Sequence, residues 1–192
     1  MQSLDIFLSY INRSSFITLF VLTWLSIYFI FTLTILISRY FGLNSWQKRE
    51  QNALESLLMG RQASTLNTVL KKFLTGRVTR EKLAICQCMA EKNATSGLTW
   101  LSIISSTSPF IGLFGTVISI LDTFSKMGAG NSSIAVIAPA ISEALVATGC
   151  GIFVAIPAYT AHLLIKRKAY EIMSIINRSA DIIIYSAQQK EQ

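Results

Sequence analysis

The sequence predicts an all-α integral membrane protein with three transmembrane helices, extended by cytoplasmic helices. Three observations carry this reading. The 192 residues contain three long apolar segments; only 14% of the chain is charged, where a soluble domain carries about 25%. The lysines and arginines avoid the apolar segments and collect beside them, as juxtamembrane charges do.

A short N-terminal segment, 1–15, precedes the first span, residues 16–38, which runs 23 residues without a charge. At 1.5 Å per residue it reaches about 34 Å, enough for a hydrocarbon core of about 30 Å. A cleaved signal peptide would have an apolar region of only about 7–15 residues before a small-residue site. Here the run ends in Arg39, Tyr40 and Phe41, so it reads as an anchor. The span contains no Gly, Ala or Pro, and its bulky side chains suit contact with lipid.

Residues 39–98 form the longest polar stretch. Leu66, Val69, Leu70, Phe73 and Leu74 repeat at helical spacing, with Lys71 and Lys72 opposite. Gly60 and Gly76 are expected to break the helices. The second span covers 99–124 and the third 134–165, joined by a Gly/Ser-rich loop over 125–133 that makes them an antiparallel hairpin. The tail, 166–192, carries Ile172, Ile175, Ile176 and Ile183 as an apolar stripe.

Orientation follows from the basic residues. Fifteen of the 17 lie in 39–98 and the tail; Arg13 and Lys126 are the other two. The positive-inside rule places the fifteen in the cytoplasm, and the N-terminus and the hairpin loop in the periplasm. This distribution also accounts for the net charge of +7 without nucleic acid, for which no aromatic-basic motif is present. Cys86, Cys88 and Cys150 are odd in number and match no disulfide framework. With His162 the only histidine, no four-ligand zinc set is spaced along the chain, and no metal or cofactor is expected.

The second and third spans differ from the first. Ser105, Pro109, Gly112, Thr116 and Ser119 share one helix face, and Ala140, Ala144, Ala147, Gly151, Ala155 and Ala158 share another. Small residues let helices approach closely in lipid, so these stripes predict helix packing and a homo-oligomer; a polar pore lining is the competing reading for the serines and Thr116. Pro139 and Pro157 can kink the third span.

Glu143 is the only formally charged residue between Lys126 and Lys166. A charge at the bilayer centre costs at least about 2.5–3.5 kcal/mol, and such residues mark ion paths or proton relays. The bland reading is a carboxyl near the outer interface or bonded to a neighbour. Thr116 and Glu143 lie at similar distances on either side of the loop centre, so they are expected at the same depth. Thr148 lies about 7.5 Å further toward the cytoplasm, where it could continue a proton wire or bond back to its own helix. Asp122, near the outer end of the second span, suits an interfacial role, as does His162 at the cytoplasmic end.

The segments SPFIGLFGTV at 108–117 and APAISEALVATGCGIFVAIPA at 138–158 resemble the paired motifs of the TolQ/ExbB/MotA proton-channel family. The resemblance covers about 100–165 closely. It implies a subunit of an inner-membrane motor driven by the proton-motive force, a pentamer around the single spans of a TolR- or ExbD-like dimer. It further implies that Thr116, Glu143 and Thr148 line the pore, and that inward proton flow drives a partner acting on the cell envelope. Two features differ from the family: the cytoplasmic stretch is short, and Ile118-Ser119 replace the usual Trp-Gly pair. The short N-terminus leans toward a TolQ-like over an ExbB-like task; a four-span MotA-like stator fits less well.

Two other functions compete. A passive scaffold would anchor a partner without conducting, and the isolated Glu143 argues against it. An intramembrane serine enzyme would use Ser105, Ser106 or Ser108, but it needs a base to activate the nucleophile. His162 stands at a helix end with no GxSxG motif near it. The expected ligands are therefore protons, the bilayer and protein partners.

Overall fold

Four helices account for the regular structure of the described residues in a computed structural model, which describes 16–59, 69–70, 80–127 and 134–189. They are α1 (Phe16–Leu58), α2 (Arg80–Ala94), α3 (Leu98–Met127) and α4 (Ile134–Gln189). Three helices are long and apolar enough to cross a membrane. The 43 residues of α1 and the 56 of α4 exceed what a bilayer needs, so both helices continue well past their apolar segments. Helix α1 ends at Leu58, and Gly60 lies outside the described residues. Leu66, Phe73, Leu74 and Gly76 lie outside the described residues; Val69 and Leu70 form a tight turn.

The chain divides into two units, 1–34 with 100–161 and 35–99 with 162–192. In the first, parts of α1, α3 and α4 pack around Val21, Leu25, Ile104, Ala147, Val154 and Ala158. Helix α1 enters this core through few residues. Phe20, Trp24, Ile27, Ile30 and Phe31 are exposed, the surface expected of a lipid-facing helix. Its polar residues do not conflict with lipid. Thr23, Ser26, Thr32 and Thr34 each donate to the carbonyl four residues back, at 2.8–2.9 Å, which satisfies the hydroxyl without a partner helix. Pro109, Pro139 and Pro157 stand inside continuous helices.

The small-residue stripes of α3 and α4 meet each other within the one chain. A Cβ placed on Gly112 would come within 2.8 Å of the Ala147 carbonyl oxygen, and one on Gly151 within 2.6 Å of the Ser108 carbonyl oxygen. Gly112, Ala144, Ala147, Gly151 and Ala158 are all buried. Much of the surface expected to drive subunit association is thus consumed inside the subunit.

In the second unit, α2 buries Leu83, Cys86, Ala90 and Ala94. Ile172, Ile176 and Ile183 of α4 are buried as their spacing predicts. Arg39 of α1 caps the end of α2: its Nη2 donates to the carbonyls of Asn93 and Ala94, the latter at 3.2 Å. The chain then turns through Gly97, whose φ of 86° lies in the left-handed region that glycine adopts without a Cβ clash. The Lys168 ammonium donates to Asn44 Oδ1 at 3.0 Å and Gln47 Oε1 at 3.2 Å, and Gln47 donates to Glu171 at 3.1 Å. The Arg167 guanidinium bonded to Glu171 holds that carboxyl below its usual range. The polar side chains between α1 and α4 thus answer one another in a connected set.

Candidate functional site

The glycine contacts set the geometry of the polar group between α3 and α4. With no Cβ on Gly112 or Gly151, the helices approach until a threonine on each reaches the other backbone. The Thr116 and Thr148 hydroxyls hydrogen-bond each other directly. Thr116 Oγ1 also lies 3.1 Å from the Ala144 carbonyl across the helix pair and 3.3 Å from Gly112 in its own helix. Thr148 Oγ1 lies 3.2 Å from the same Gly112 carbonyl. Thr148 therefore turns to the neighbouring helix, and both threonines are half-buried.

Each hydroxyl has one hydrogen, so the bond between them can run in either direction. In one, Thr148 donates to Thr116, which donates on to the Ala144 carbonyl. In the other, Thr116 donates to Thr148, which donates on to Gly112. The two differ only in the direction in which the hydrogens point. Such a pair can reverse its polarity without moving a heavy atom.

Glu143 precedes Ala144 in the chain, so the carbonyl that Thr116 reaches belongs to the residue next to the acid. Glu143 is half-buried, as is Asp122 near the other end of α3. Thr116 and Thr148 are brought together, and Glu143 is linked to them through the chain by Ala144, whose carbonyl Thr116 reaches. The sequence reading missed the two acceptors, the Gly112 and Ala144 carbonyls, because backbone groups leave no residue-type signal. The i,i+4 spacing of Gly112 to Thr116 and of Ala144 to Thr148 was the available clue.

The serines proposed for an enzyme reading are engaged with their own helix. Ser105 and Ser106 each donate to Ser102 O at 2.9 Å, and Ser108 to Ile104 O at 2.5 Å. His162 Nδ1 lies 3.1 Å from the Leu98 carbonyl, a helix-end contact. Among the described residues no group of three metal-ligating side chains occurs.

Comparison with known proteins adds a family relationship. Residues 51–178 match the MotA/TolQ/ExbB proton channel family. An ExbB-like biopolymer transport protein of Helicobacter pylori is 41% identical over 184 residues, covering 94% of this chain and 97% of the relative. The biopolymer transport protein ExbB of Neisseria gonorrhoeae is 51% identical over 72 residues, 37% of this chain and 33% of that protein. The Tol-Pal system protein TolQ of Pseudomonas aeruginosa is 42% identical over 73 residues, 38% of this chain and 32% of that protein. The Helicobacter relative aligns almost end to end.

Proposed function

Because the chain belongs to the MotA/TolQ/ExbB proton channel family, we propose that it is the proton-conducting stator subunit of an inner-membrane motor that energises an ExbD- or TolR-like single-span partner. The three apolar helices and the family make it a multi-pass inner-membrane protein. The observation that carries the conduction reading is the threonine pair, joined across α3 and α4 by a reversible hydroxyl bond and reaching the carbonyl of Ala144, the residue after Glu143 in the chain.

In this reading Glu143 takes a proton from the outer side and releases it inward, and the Thr116–Thr148 pair orients the transfer. The membrane potential contributes about 2.3 kcal/mol per charge per 100 mV, enough to drive the exchange inward. The subunits form a homo-oligomer, a pentamer in the family's pattern, around the partner's spans. The N-terminus lies outside and the tail inside, as the fifteen-to-two distribution of basic residues supports. Relatives named for ExbB and for TolQ both match, so the partner is proposed as ExbD-like or TolR-like alike.

The test replaces Glu143 with Gln, which keeps the size and hydrogen-bonding capacity but cannot titrate. Glu143→Gln is expected to assemble with its partner and to abolish proton flux in proteoliposomes. Glu143→Asp keeps a titrating group one methylene shorter and should retain part of the flux. Full flux in Glu143→Gln at normal expression removes the relay and leaves a non-conducting scaffold that anchors its partner.

A further inference from the structure

A second acid, Glu50, is buried where the sequence offers no reason to bury one. It lies on α1, twelve residues beyond the apolar segment, and is 1% exposed. Both of its donors fall on one oxygen: Trp46 Nε1–H at 3.1 Å, from one turn back in α1, and the Val69 backbone N–H at 3.0 Å. The other oxygen, Oε2, is buried without a hydrogen-bond partner among the described residues. From α2, the fully buried Cys86 thiol donates to the Val69 carbonyl, with Sγ 3.7 Å away. Val69 is therefore held at its N–H by α1 and at its C=O by α2. Leu70, next to it, is completely buried.

We propose that Glu50 is a proton-operated latch: as the neutral acid it holds Val69–Leu70 against α1 and α2, and as the carboxylate it lets them go. The physical reason is the unmatched oxygen. A neutral carboxyl keeps two donors on Oε1 and leaves only an uncharged O–H unmatched at Oε2. An ionised one leaves charge on a buried oxygen with nothing to answer it, and water becomes the better environment. Burial pushes the Glu50 carboxyl above its ordinary 4.5, against the lowering effects of the Val69 N–H, Trp46 and Arg49. Among the described residues the titratable and charged groups acting on it are Arg49 on its own helix and the Cys86 thiol on α2, itself pushed up by burial and then by Glu50. The turn contributes only its peptide.

The sign follows from the raised value. The closed latch binds the proton more tightly than the open one, so closure is fully favoured below 4.5 and is lost as pH rises through the higher value of the closed state. Between 4.5 and that value the opening constant rises by up to about tenfold per pH unit, and above it the constant levels off. The latch is independent of the conduction proposed for Glu143, and a failure of either leaves the other standing.

Cys86 reports the state of the latch, with the exposed Cys88 as an internal reference for thiol ionisation. The full chain in detergent is treated with N-ethylmaleimide from about pH 4.5, the ordinary value, to about 7.5, and the Cys86-to-Cys88 labelling ratio is read by tandem mass spectrometry. The ratio is expected to climb with pH by up to about tenfold per unit. Glu50→Gln, which keeps an acceptor oxygen but no charge, should give a low ratio at every pH. Glu50→Ala should give a high one at every pH. A ratio that stays flat in the unaltered chain, which requires no variant to fold, overturns the latch. So does a Glu50→Gln ratio that follows the unaltered chain.

Discussion

At the scale of single residues, the protein shows how little side-chain chemistry a hydroxyl link requires. Thr116 and Thr148 use backbone carbonyls as terminals and each other as the connection. Valine has nearly the shape of threonine and no hydroxyl, so Thr148→Val removes the link while leaving the packing in place. Interhelical hydrogen bonds in membranes contribute about 0.6 kcal/mol on average. Thermal stability in detergent should therefore shift little in Thr116→Val or Thr148→Val, while proton flux falls in both. If the two act as one unit, the double variant loses little more flux than either single one, a non-additivity that a double-mutant cycle measures. Flux losses that multiply would show two independent roles.

At the scale of elements, glycines decide the α3–α4 approach, and not every glycine matters. Gly151 has backbone 2.6 Å from where a Cβ would stand, whereas Gly149 has nothing within 4 Å. Overpacking a close contact costs about 1–3 kcal/mol. Gly151→Ala should lower the melting temperature and part the threonine pair, while Gly149→Ala leaves the hairpin as it is. Equal melting temperatures for the two variants would contradict this packing. The end of α2 offers a second case. Arg39 brings a cation to carbonyls that the helix leaves open. A cation at a helix C-terminus contributes about 0.3–1 kcal/mol. Arg39→Ala should speed amide exchange near the end of α2 and leave α3 unchanged, a pattern hydrogen-exchange mass spectrometry resolves.

At the scale of the whole molecule, the surface left over is as informative as the core. The α3 and α4 stripes cover much of each other, while Ser105, Pro109, Ala140 and Ala155 stay partly exposed. What remains outside is bulky and apolar, including Phe110, Phe114, Leu121 and Phe124 on α3 and Leu145, Phe153 and Ile156 on α4. Lipid and neighbouring subunits can both cover such a surface. The proposed homo-oligomer is tested by native mass spectrometry in detergent, where a pentamer is expected and monomers alone would refute it. The proposed orientation is tested by a reporter fused after Gln192, expected to be active only in its cytoplasmic form. Copurification of an ExbD- or TolR-like protein would identify the partner.

The sequence by itself determined the helical class, the three apolar segments and the family, because hydrophobic length and the 108–117 and 138–158 motifs are local patterns. It also marked Thr116, Glu143 and Thr148, since an isolated acid and two hydroxyls stand out among apolar neighbours. Only the tertiary structure decided that Thr148 bonds across to Gly112 and Thr116, because the choice depends on how closely two helices approach. Nor could periodicity reveal Glu50. Its burial comes from Val69 and Cys86, residues 19 and 36 positions further along the chain. A carboxyl on a polar helix reads as solvated until the fold brings a peptide to one of its oxygens and nothing to the other.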